Sequence, residues 1–77
     1  MNTKKLLKSL SDSEVRKIIN KCDLSIEEYP IAISALVERN YRVKTCDKYG
    51  ISLATYHVYL SRIILKIQTL LKSRLFA

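Results

Sequence analysis

Seventy-seven residues with 48% hydrophobic side chains, one Gly and one Pro describe a single folded, helical domain and exclude a disordered chain. A chain this short buries only about 60–65% of its unfolded surface, so oligomerisation is a natural source of extra stability. The formal charge is +7; no apolar run approaches the roughly 18 residues of a bilayer span, and the start MNTKKLLKSL carries no signal-length apolar run, which excludes membrane insertion and points to the cytoplasm.

Residues 2–10 read as a short basic turn of helix or a frayed arm, with Lys4, Lys5 and Lys8 within reach of phosphate. A solvated, flexible terminus is the plainer alternative. Ser11-Asp12-Ser13-Glu14 then has capping-box spacing, Ser11 as N-cap and Glu14 reaching back to its amide. A helix should follow to about Lys21 with Val15, Ile18 and Ile19 inside, and Asp12 and Glu14 suit its positive end better than they suit catalysis.

Ser25-Ile26-Glu27-Glu28 repeats the capping signal, and Pro30 complicates it. Proline disfavours helical geometry at Tyr29 but is welcome in a first turn, so the next helix starts at Ile26 or Pro30, the later start being favoured. It runs through Ile33, Leu36 and Val37 to about Arg39, with Asn40 as a left-handed cap. Glu27 and Glu28 resemble a carboxylate pair, yet no acid, base or metal ligand lies near them in sequence. They mark a helix start.

The organising stretch is Arg42 to Arg62, RVKTCDKYGISLATYHVYLSR. Val43, Cys46 and Tyr49 form the stripe of a short amphipathic helix over Arg42–Tyr49. Gly50 can take positive φ and end it, and Ser52 caps a second helix whose inward stripe is Tyr56, Tyr59, Leu60 and Ile63. Small Cys46 and bulky Tyr56 flank the turn where two crossing helices need a small and a filling side chain. Helix, tight Gly turn, helix is the helix-turn-helix pattern, whose second helix enters the DNA major groove.

The last helix begins at Leu53 and meets no breaker before Arg74, about 22 residues or roughly 33 Å. Its apolar face holds Ile63, Ile64, Ile67, Leu70, Leu71 and Leu75, with Arg62, Lys66, Lys72 and Arg74 elsewhere. Part of that face must cover the first helices. The excess suggests a subunit contact through Ile64, Ile67, Leu71 and Leu75 in an extension over 63–77; a wholly intramolecular core is the alternative.

Leu36-Val37, the basic segment after it, Cys46-Asp47-Lys48-Tyr49, the turn and Leu60-Ser61-Arg62-Ile63 together resemble the PapB-type adhesin-biosynthesis regulators, which control fimbrial operons in enteric bacteria. They can be laid along that pattern without a gap over the middle and later part of the chain. The resemblance implies a small helix-turn-helix regulator that oligomerises on AT-rich promoter DNA.

Charge distribution supports a polyanion partner independently. Residues 1–37 balance at +1, and residues 38–77, with eight basic and two acidic side chains, balance at +6. A cationic surface gains affinity by releasing counterions from phosphates. Arg42, Lys44 and Lys48 are expected to position the backbone, and Ser52, Leu53, Thr55, His57, Val58, Ser61 and Arg62 to face the DNA, with His57 meeting a base or a phosphate and Arg62 a phosphate in preference to a guanine. That reading set has no Asn or Gln and one Arg, so base specificity should be modest and aided by DNA shape and by several cooperating copies.

Cys22, Cys46 and His57 are too scattered for a zinc site, one glycine makes no phosphate loop, and one histidine on a reading helix does not suit a catalytic triad. The expectation is an all-α protein, a small bundle of four helices with a helix-turn-helix and a long C-terminal recognition helix. It forms one domain over 1–77, needs no cofactor or metal, is not an enzyme and takes no small-molecule ligand. It would bind double-stranded, AT-rich DNA as a homodimer or higher oligomer in the bacterial cytoplasm, nucleoid-associated. Alternatives are a plasmid or phage repressor of the same fold, or a small helical adaptor that binds protein.

Overall fold

The computed structural model describes residues 3–76, with side chains through residue 73. Among these the chain is all-helical: α1 (Thr3–Ser9), α2 (Asp12–Lys21), α3 (Glu28–Ala32) running into a π-helical turn (Ile33–Val37), α4 (Arg42–Tyr49) and α5 (Leu53–Phe76). With 24 residues, α5 is about 36 Å long, nearly the full 39 Å long axis of the molecule. It is the spine; α1, α3 and α4 pack on it, and α2 packs on the π-turn. No helix among the described residues is long and apolar enough to cross a membrane.

The core is one contiguous cluster: Leu7, Val15, Ile19, Ile31, Ala32, Val37, Cys46, Tyr56, Ile63 and Ile67. Five α-helices stand where four were expected, because residues 3–9 fold as α1 and not as a flexible arm. Two contacts fix it. Leu7 is 2% exposed, and the Arg39 guanidinium donates to the carbonyls of Lys8 (3.2 Å) and Leu10 (2.7 Å), a cation closing the negative end of the helix.

At α2 the capping box forms as read: the Glu14 N–H donates to Ser11 Oγ, and the Ser11 N–H donates to Glu14 Oε1 at 3.1 Å. These bonds hold the Glu14 carboxyl below its ordinary range. The second box also forms, which moves the start of the next helix to before Pro30. The Ser25 N–H donates to Glu28 Oε1 (2.9 Å), the Glu28 N–H donates back to Ser25 Oγ (3.2 Å), and the Tyr29 N–H reaches Ser25 O. Pro30 then falls in the first turn, where its missing N–H costs nothing.

The left-handed residue after the π-turn is Arg39 (φ 57°), one before the expected Asn40. The wide turn shifts the register: the Glu38 N–H reaches back five residues to Ile33 O, and the Asn40 N–H six, to Ser34 O. Ser34 is thereby turned inside, where its Oγ lies 2.8 Å from Thr45 Oγ1 and accepts from Asn40 Nδ2. The expected α4 stripe changes accordingly. Cys46 is buried as read, but its buried neighbour is Thr45, while Val43 is 62% exposed and Tyr49 is exposed too. A short helix leaning on a buried hydroxyl pair buries the residue that completes the pair.

Candidate nucleic-acid interface

The junction of α4 and α5 is built from local chemistry. Gly50 sits at φ 62°, and both its N–H and that of Ile51 donate to Cys46 O, the paired bonds of a left-handed helix stop. Ile51 folds back on the core beside Cys46, whose thiol lies 3.8 Å from Ser52 O. Ser52 Oγ then accepts from the Thr55 N–H (3.1 Å) and starts α5. Tyr56, buried between the two helices, has its phenol pushed up by burial and by nearby Cys46, with Arg42 opposing.

Nine of the ten residues expected at the interface are exposed: Arg42, Lys44, Lys48, Ser52, Leu53, His57, Val58, Ser61 and Arg62; Thr55 is half-buried. They differ in what they have to offer. Ser52 and Thr55 spend their hydroxyls on each other, Ser52 Oγ donating to Thr55 Oγ1 at 2.9 Å. They serve the helix start more than the surface. Lys48 Nζ lies 3.8 Å from Glu38 and 5.5 Å from the Tyr49 ring centroid, so its charge is partly matched inside the molecule. Arg42, Lys44 and Arg62 have no ion-pair partner among the described residues. His57 stands edge-on to Tyr56, ring centroids 5.6 Å apart, with its outer side in solvent.

The exposed ridge of α5 is Ala54, Val58, Ser61 and Leu65, at helical spacings of four, three and four. Ala54 and Leu65 were missed in the sequence, although the periodicity that placed Val58 and Ser61 outside also places them there. Two shallow clefts lie beside the ridge. One, of about 350 Å³, is lined by His57, Leu60, Ser61, Ile64 and Gln68 with Lys4 of α1. The other, about 400 Å³, has Leu7, Leu36, Tyr56 and Leu60 beneath Lys4, Lys8 and Arg39. Lys4 borders both. Its placement depends on how α1 docks, and local sequence does not encode that.

The four residues expected to carry a subunit contact fare differently. Ile67 is 0% exposed, enclosed by its own chain, and offers nothing to a partner; α3 and α1 both pack on α5. Ile64 and Leu71 are half-buried against the same core, and Leu75 lies outside the residues with described side chains. Cys22 and Cys46 are free thiols, and burial pushes that of Cys22 up. Among the described residues no three of His, Cys, Asp and Glu come together as a metal site would require. Comparison of this chain with protein-family models, curated proteins and solved structures gives no match.

Proposed function

We propose that the chain is a duplex-DNA-binding transcriptional regulator in which α4, the Gly50 turn and α5 act as a helix-turn-helix. The first turns of α5 would enter the major groove, and Arg42, Lys44 and Arg62 would contact phosphate. One observation carries this reading: the exposed start of a rigidly stopped helix pair coincides with the half of the chain that holds a charge of +6. Leu53, Val58 and the methylene arm of Arg62 suit thymine methyls and sugar edges, which favours AT-rich sites and modest specificity. Fimbrial operon control, as in the PapB-type family, is the first biological role proposed. A plasmid or phage repressor would use the same surface.

Binding to AT-rich and random duplexes across a salt series tests it. From Arg42, Lys44 and Arg62 alone, affinity should fall with salt with a log–log slope on the order of −3, for about three phosphates neutralised, and further phosphate contacts would steepen it. Arg42→Glu with Lys44→Glu should abolish the complex while leaving helicity unchanged. Absence of any complex at low salt would remove the proposal.

Assembly on DNA as a dimer or larger oligomer remains part of the proposal, through Ile64, Leu71 and the end of α5. Its test is particle mass with and without residues 72–77. A cut after Lys66 would remove Ile67 from the core and unfold the domain, so it says nothing of assembly. One observation favours a second reading: Val43, Leu53, Val58 and Leu65 are apolar and well exposed on the surface assigned to DNA. A protein-binding adaptor would use them. Leu65→Glu would then abolish partner binding, whereas a DNA complex would weaken far more on loss of Arg42 and Lys44.

A further inference from the structure

The helix that the sequence left as a terminus carries the next step. The lysines at positions 4 and 8 are one helical turn apart and share a face of α1. That face opens on the clefts beside the start of α5. Neither ammonium has a hydrogen-bond or ion-pair partner among the described residues. The helix that carries them is docked by buried Leu7 and by the Arg39 guanidinium on the carbonyls of Lys8 and Leu10, so the backbone positions of the two lysines beside α5 are set by the fold.

Their position relative to α5 matters most. At about 100° per residue, His57 and Arg62 lie on opposite flanks of the exposed ridge, roughly 140° apart. Lys4 shares a cleft with His57 and Ser61, so it stands on the flank away from Arg62. A duplex major groove is bounded by two phosphate strands about 12 Å apart. A helix lying in it meets phosphate on both sides, and a cation on one flank only would hold one rim.

We propose that α1 is a second cationic rail for the same duplex: Lys4 and Lys8 bind phosphates of one strand, while Arg62 binds the other. This rests on the DNA reading above and adds a partner surface to it. A rail of this kind contributes affinity without sequence information, because it meets only the backbone.

The test uses the full chain and two double variants on AT-rich and random duplexes over a salt series. Lys4→Ala with Lys8→Ala should reduce the log–log salt slope by about 1.8, two phosphates' worth, and weaken both duplexes equally. Arg16→Ala with Lys17→Ala, on the solvent side of α2, removes the same net charge and should leave the slope nearly unchanged. Helicity and thermal midpoint should be retained in each variant, since all four side chains are exposed. A wild-type slope in the Lys4/Lys8 variant, with binding intact, overturns the rail and leaves the DNA reading standing. Equal losses from both pairs overturn it as well, since net charge would then be the cause. Wild-type protein that binds neither duplex overturns rail and DNA reading together.

Discussion

Gly50 decides the geometry of the junction between α4 and α5 through one dihedral angle. At φ 62° a β-carbon would find nothing within 4 Å, so any cost of substitution comes from backbone conformation alone. Gly50→Ala should therefore destabilise the fold by about 1–2 kcal/mol, lowering the thermal midpoint by about 4–8 °C per kcal/mol. Gly50→Asn should lose clearly less, since Asn tolerates the left-handed region. A calorimetric scan of the three proteins checks this, and equal midpoints for Gly and Ala would mean that the turn relaxes. This residue was legible, because one glycine between two periodic stripes has few other uses. Arg39 was not. A left-handed arginine runs against local preference, and its long-range bonds to the carbonyls of Lys8 and Leu10, with the Asp12 carboxylate 3.7 Å away, help to offset the strain.

Between elements, the contact with most at stake is the hydroxyl pair of Ser34 and Thr45, which joins the π-turn to α4 inside the core. Both residues are 0% exposed. Ser34→Ala leaves the Thr45 hydroxyl buried without its partner and should cost about 1–3 kcal/mol, whereas adding Thr45→Val should recover much of that loss. Urea melts of the single and double variants measure the difference; a double variant no better than the single would mean that the hydroxyls do not act as a pair. The sequence announced α2, α4 and α5 clearly, since capping boxes, Gly50 and 3.6-residue periodicity are local signals. The π-turn was invisible, as was the exposure of Val43, because both follow from how Ser34 meets Thr45 across the fold. The start of α3 was misjudged where two local rules disagreed, and the Ser25–Glu28 box prevailed over Pro30.

At the scale of the whole molecule, one ion pair closes α3 onto the spine. Glu28 is 3% exposed, and Lys66 Nζ donates to its Oε1 at 2.6 Å and to Asp23 O at 3.1 Å. The ammonium first, and the Ser25 N–H second, hold this carboxyl below the ordinary carboxylate range. A group depressed in the folded state stabilises the fold above its unfolded pKa and loses that contribution as pH falls through its folded pKa. The domain should thus be stable at neutral pH and weaken on acidification below the usual Glu range. Glu28→Gln should cost about 1.5–3 kcal/mol at neutral pH and flatten the acid limb in denaturant melts taken over pH. An acid limb identical in the two proteins would assign the acid loss to other carboxylates. Of the candidate interface, the charge asymmetry and the exposed ridge of α5 were readable from the chain alone. Lys4 beside His57 was not, since fifty-three positions separate them and only α1's docking brings them together.

The fastening of α1 also has a consequence in time. This seven-residue helix is held to the rest by its packing at Leu7 and by an arginine placed on the carbonyls of Lys8 and Leu10, among other contacts. Short terminal segments open below the global unfolding free energy. The amides near the end of α1 should therefore exchange with deuterium well before those around Ile63 and Ile67. Each opening would bare Tyr56 and Leu60 to water and carry Lys4 and Lys8 away from α5. A bound polyanion that engages the rail would slow exchange in α1 more than anywhere else in the protein, turning the least secure segment of the free domain into a reporter of occupancy.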